Sequence, residues 1–373
     1  MIVSIEGLVL RGRRLVEGTV AFEGGRLVRP SRRPVSLLEG WAVLPGLVDI
    51  QVNGFAGAEI GDDPDQWAAV AAALPSVGVT AFCPTLVTRT LRAYRRAAAA
   101  NAAVAWPTLG AKNLGVHLEG PFLAPGRVGA HPAGAIRDPD PSTVARLLAD
   151  FEPRIVTLAP ERPGAIDAIR SFARTGALVA CGHTDADAPT AEVAIRAGAR
   201  LLTHAFNAMA QITSREPSAL VAFLGQRRAY VSLIADSVHV EPRVAALVAR
   251  LAGPRLVLIS DSVEAAGMGP GRFQLGATAV TSDGVVVRGV GGQLAGSAAG
   301  LAVGPQVLRA AGISRAAALD AASGAPRRLL GLPLGELGDP ADLVIVDQHD
   351  RPQVTITGGR VAWSNPDSPL AIL

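Results

Sequence analysis

Six histidines and a handful of carboxylates hold the chemistry of this chain, and their spacing limits what that chemistry can be. In NLGVHLEGPF, residues 113–122, apolar Leu114, Val116 and Leu118 alternate, and Glu119 then arrives immediately before Gly-Pro. A strand that ends by presenting one carboxylate at a sharp turn is how α/β barrels place catalytic groups. Burying an unpaired carboxylate is costly, so Glu119 needs a cation, either an arginine or a metal ion. His183 closes a strand pattern in VACGHTDA, and His204 closes the next in LLTHAFNAM. One strand-end histidine is commonly structural. Two at successive strand ends, with Glu119 two strands earlier, converge on one barrel mouth. Glu plus two His is a catalytic zinc donor set that leaves a fourth position for water.

Asp261 ends an eighth strand pattern in VLISDSVEAAG and faces the same opening. Water activated by such an ion has its pKa lowered to about 7, and Asp261 could take its proton and later deliver it to a leaving group. Alone, Asp261 would read as a helix cap or salt-bridge partner. His131 lies in the loop after the third strand, His239 follows the seventh, and His117 and His349 fall elsewhere. Lys112, the single lysine, precedes its strand, so it cannot be the carboxylated lysine of some two-metal hydrolases. Cys181 stands two residues before His183 and should point the same way. It reads as a buried inert thiol, as does Cys83, with a thiolate near the metal as the alternative for Cys181.

Strand candidates at 44–52, 79–87, 113–119, 154–159, 177–182, 200–204, 229–235 and 255–260 alternate with helical patterns such as DPDQWAAVAAALPSVG, STVARLLADF and EPRVAALVARLAG. Eight such units over roughly 280 residues predict a (β/α)₈ TIM barrel, an α/β fold, spanning 44–335. The β-rich ends, 1–43 and 336–373, are each too small to fold alone and are expected to pair into a small β-sandwich domain. Residues 270–297 form a Gly-rich, β-like excursion after the eighth strand. Their GVGGQL does not complete a dinucleotide-binding GxGxxG, so no cofactor role follows.

Composition excludes other classes. The 373 residues are 49% hydrophobic, 18% charged and 4% aromatic, with 34 dispersed arginines among 35 basic residues. Despite a pI near 9.4, no basic run with interleaved aromatics marks a nucleic-acid partner. No apolar run reaches the ~18 residues of a membrane span, and the N-terminus lacks the order of a secretory signal. Two cysteines are too few for a disulfide scaffold, so a cytoplasmic location is expected.

The series LPGLVDIQVNG, GVHLEGPF, CGHTDA, THAFNAM, ITSREPS, IADSVHV, ISDSVEAAG and DPADLVIVD resembles the N-acetylglucosamine-6-phosphate deacetylases of the amidohydrolase superfamily, from about residue 44 to the C-terminus. The resemblance implies hydrolysis of the acetamide of N-acetyl-D-glucosamine 6-phosphate. Glu119, His183 and His204 carry over as ligands of one divalent ion, zinc first, with Fe²⁺, Mn²⁺ or Co²⁺ as alternatives. Asp261 carries over as the acid/base, and His131 as the group that polarises the substrate carbonyl. Asn207, Ala208, Leu294, Ala295 and Gly296 are implied around the sugar, and Ala130 and Asp236 among the substrate-binding residues. Arg215 and His239 are implied at the phosphate, with Arg215 supplied across a homodimer interface. For Arg215 the plain alternative is an ion pair with Glu216. Many amidohydrolases carry His-x-His after the first strand to hold a second metal, whereas this chain has Gln51 and Asn53, poor zinc ligands and at most a weak second position. Rival readings are an amidohydrolase acting on another amino sugar or cyclic amide, and a non-catalytic barrel used for binding.

Overall fold

The computed structural model describes residues 2–30 and 34–370. Eight parallel strands follow one another around a barrel: Leu47–Val52, Val79–Val87, His117–Glu119, Ile155–Leu158, Leu178–Cys181, Ala199–Leu202, Tyr230–Ile234 and Leu256–Ile259. Helices cover the outside, among them Pro64–Ala73, Leu91–Ala103, Pro141–Phe151, Ala188–Ala197 and Pro242–Ala252. Asp63, Thr90, Asp140 and Asp187 cap four of them by accepting backbone N–H groups, and Pro opens or follows the first residue of several. Inward residues such as Val48, Ile50, Ala180 and Ile259 fill the lumen, closed below by Leu329. Outward residues such as Phe82, Leu118 and Leu258 pack with Trp67, Phe172 and Phe223 in the strand–helix core.

The seam between the eighth strand and the first is held by individual hydrogen bonds instead of a regular ladder. The Asp49 Oδ1 accepts the N–H of Gln51 at 3.3 Å and of Ser260 at 3.2 Å. Asp261 N–H donates to the Gln51 carbonyl at 3.1 Å, and Asn53 N–H to the Ser262 carbonyl at 2.8 Å. Asp49 is fully buried, its Oδ2 has no hydrogen-bond partner among the described residues, and burial pushes its carboxyl up to about 7.

The chain ends meet in one eight-stranded sheet, where Leu343–Val346 runs antiparallel to Ala42–Pro45. Trp41, Val43, Leu343 and Ile356 form its own core. The segment 44–52 is therefore two strands in two sheets. The break falls at Gly46, where a Cβ would lie 2.2 Å from the Thr80 side chain. The expected strand 113–119 is also interrupted, into Lys112–Asn113 and His117–Glu119, with Gly115 at φ 109° between them. Residues 271–297 form a four-stranded antiparallel sheet ending in Leu294–Ser297. No helix among the described residues is long and apolar enough to cross a membrane.

Candidate active site

Glu119 is the last residue of the third strand and is 2% exposed. Past the fifth, sixth and eighth strands the backbone turns left-handed at His183 (φ 49°), His204 (φ 29°) and Asp261 (φ 51°). Non-glycine residues seldom adopt such angles, and here each turn swings a functional side chain from the wall into the mouth. Strand alternation ends with it. Cys181 packs outward in the strand–helix core instead of sharing the direction of His183, and burial pushes its thiol up.

One ligand atom each from Glu119, His183 and His204 lie within 4.8 Å of one another. The His204 Nε2 stands 2.9 Å from Glu119 Oε1 and 3.2 Å from the His183 Nε2, which is 3.3 Å from the same carboxylate oxygen. His183 donates its Nδ1–H to the Arg127 carbonyl at 2.8 Å, which turns the Nε2 lone pair inward. Two imidazole nitrogens and a carboxylate aimed at one point repel unless a proton or cation sits among them. Burial alone would raise the Glu119 carboxyl, but hydrogen bonds from His131, His183 and His204 hold it well below the usual range. A divalent ion fits this donor set and would displace the shared proton.

Gln51 and Asn53 turn their amide N–H groups toward carboxylates. The Gln51 Nε2 donates to Glu119 Oε1 at 2.8 Å and to Asp261 Oδ1 at 3.1 Å, and the Asn53 Nδ2 donates to the same Asp261 oxygen at 2.8 Å. Burial and the Glu119 charge push the Asp261 carboxyl up to about 6. The Thr88 N–H donates to His131 Nδ1 at 3.1 Å, so the ring proton sits on Nε2, which lies 3.4 Å from Glu119 Oε2. Burial, then the neighbouring His183, lowers His131 to about 4 and keeps it neutral at pH 7. Beneath the site, His117 bonds the Ile50 carbonyl and the Thr157 hydroxyl, a floor to the Glu119, His183 and His204 cluster.

A cavity of about 370 Å³ opens above these groups. Asn53, Ala130, His131, Asn207, Ala208, His239, Leu294 and Gly296 line it. Val87, Arg127, Phe206, Leu275 and Gln293 also line it. The sequence reading missed them, although Arg127 shares a short loop with His131 and was within its reach. Ala295 faces the apolar core under the antiparallel sheet, and Asp236 contacts His239 and Ser297. Arg215 is exposed outside the cavity of its own chain. Among the described residues no ion pair joins Arg215 to Glu216.

A sequence profile of the amidohydrolase family matches residues 42–364. Human N-acetylglucosamine-6-phosphate deacetylase is 35% identical over 378 residues, covering 96% of this chain and 91% of its own. N-acetylgalactosamine-6-phosphate deacetylase of Escherichia coli O157:H7 is 36% identical over 359 residues, covering 91% and 95%. A mutant N-acetyl-D-glucosamine-6-phosphate deacetylase of Mycobacterium smegmatis, solved in complex with N-acetyl-D-glucosamine-6-phosphate, superposes with a TM-score of 0.90. It is 32% identical, covering 97% of this chain and 100% of that one.

Proposed function

The chain belongs to the amidohydrolase family, and from that premise we propose that it hydrolyses N-acetyl-D-glucosamine 6-phosphate to D-glucosamine 6-phosphate and acetate. The observation that carries the reading is the convergence of Glu119, His183, His204 and Asp261 on one cavity of sugar-phosphate size.

Glu119, His183 and His204 would hold one divalent ion, for which zinc is the best match, with Fe²⁺, Mn²⁺ or Co²⁺ as alternatives. When bound, that ion polarises the acetamide carbonyl and acidifies water. Asp261 accepts the proton of the attacking water and returns it to the sugar nitrogen as the C–N bond breaks. Neutral His131 gives its Nε2–H to the carbonyl oxygen, where negative charge gathers. Gln51 and Asn53 hold Asp261 through N–H groups, and their neutral amide oxygens are poor zinc ligands, which argues for a single ion. His239 takes the phosphate, and Arg215 reaches it across a homodimer interface, a pairing supported by its exposure outside its own cavity. Two free, buried cysteines suit a cytoplasmic enzyme.

A second sugar is favoured by one observation, the 36% identity to the galactosamine-phosphate relative. Acetate release should therefore be measured side by side from N-acetylglucosamine 6-phosphate, its galactosamine epimer and unphosphorylated N-acetylglucosamine, in zinc-supplemented buffer. Preference for the first supports the reading. Preference for the second changes the sugar and keeps the chemistry, and equal use of the unphosphorylated sugar removes the phosphate role of His239 and Arg215.

A further inference from the structure

Asp236 lies just past the seventh barrel strand, and its carboxylate is saturated without touching the cavity. Its Oδ1 accepts the N–H of Val238 at 2.9 Å and of His239 at 2.8 Å. Its Oδ2 accepts the Ser297 hydroxyl at 2.7 Å and stands 2.8 Å from the His239 Nδ1. Burial alone would raise this carboxyl, but the bonds from His239 and Ser297 pull it down to about 2. A carboxylate only accepts, so the His239 Nδ1 carries a proton and Nε2 is the nitrogen left for the cavity that His239 lines. A dianionic phosphate ester in that cavity also only accepts. Binding it requires a proton on Nε2 as well, which makes the ring an imidazolium whose counter-charge is Asp236.

We propose that Asp236 and Ser297 are positioning residues that make His239 a charged donor selective for the anionic end of the substrate. The inference rests on the phosphate reading above and assigns Asp236 an indirect role in place of a substrate contact. Ser297 also ties this end of the cavity to the acid/base. Its N–H donates to the Asp261 carbonyl at 2.9 Å, and its carbonyl accepts the Val263 N–H at 3.3 Å. This close pass depends on Gly296, whose φ is 76° and whose Cβ would lie 2.3 Å from Val263 Cγ1.

The test is Asp236→Asn in the full, metal-loaded chain. The amide oxygen can keep both backbone bonds, while the amide nitrogen donates where Oδ2 accepted. That moves the ring proton to Nε2 and leaves His239 neutral. The preference for phosphorylated over unphosphorylated sugar should fall about 10-fold, through KM more than kcat, with metal content retained. Ser297→Ala should shift the preference the same way by less. In a His239→Asn background, Asp236→Asn should add nothing. Equal losses on both sugars, or an undiminished effect without His239, would overturn the proposal. Imidazole nitrogen NMR reads the ring directly, whatever the enzyme turns over. The proposal requires His239 protonated at Nδ1 in the unaltered protein and at Nε2 in Asp236→Asn. A wild-type ring protonated at Nε2 alone overturns it, whereas absence of acetate from either sugar would overturn the functional reading instead.

Discussion

Two side-chain amides, from Gln51 and Asn53, donate to the same oxygen of Asp261, and the proposed mechanism assigns its other oxygen to the reacting water. Asp261→Asn preserves this shape and removes the proposed base. Its metal content should equal that of the wild type while kcat falls by about 10³-fold, within the span of general acid–base catalysis. Retained acetate release with the metal in place would sink the assignment. His131 does a different job, offering one neutral N–H. Replacing it with Ala should lower kcat by about 10²- to 10³-fold with a smaller change in KM, the pattern of a lost oxyanion donor. These residues were legible in the sequence because Glu119, His183, His204 and Asp261 each end a strand pattern. The direction of Cys181 was not, because it depends on the left-handed turn at His183 and no alternation rule contains that turn. The place of Asp236 was hidden for a similar reason, since its partners include Ser297, 61 positions later.

Among the elements, the seam between the first and eighth strands matters most, because Gln51, Asn53 and Asp261 all emerge from it. Asp49 bridges that seam with one oxygen and leaves the other buried, without a partner among the described residues. With its folded value near 7 against 3.8 as the ordinary value, the folded chain keeps a proton that the unfolded chain has lost in between. Stability from this residue is thus fully present below about pH 4 and lost as pH rises through about 7. Asp49→Asn should keep the bridging oxygen and remove the penalty. Its Tm should exceed the wild-type value at pH 8, and the gap should close toward pH 4. An identical pH slope in both proteins would show that Asp49 does not carry the effect. The eight-unit alternation was readable because buried strands and capped helices repeat at regular intervals. The division of 44–52 between two sheets was not, because its cause is the close approach of Gly46 to Thr80, a contact across 34 positions.

On the scale of the whole molecule, the two chain ends act as one unit bolted to the barrel. Buried Asp350 receives Arg315 at 2.6 Å and Arg309 at 3.2 Å, and Arg315 also reaches the Gly40 carbonyl at 2.6 Å. The β-rich character of both ends announced that they belong together, whereas these pins between distant segments could not be read from either end. Arg215 sits exposed, outside the cavity of its own chain and without an ion-pair partner among the described residues, in a loop following the sixth strand. A cation meant for a dianion in that cavity would then be supplied by a second copy, as a twofold assembly permits. Arg215→Ala should raise KM for the phosphorylated sugar by about 10- to 100-fold, the weight of a lost charge-assisted pair. Mixing then separates the two geometries. If Arg215 serves the neighbouring site, subunits carrying Arg215→Ala and subunits carrying Asp261→Asn form mixed dimers in which one site is whole. Random exchange should restore about a quarter of wild-type activity. If Arg215 serves its own site, every mixed dimer has one defect per site and nothing is restored.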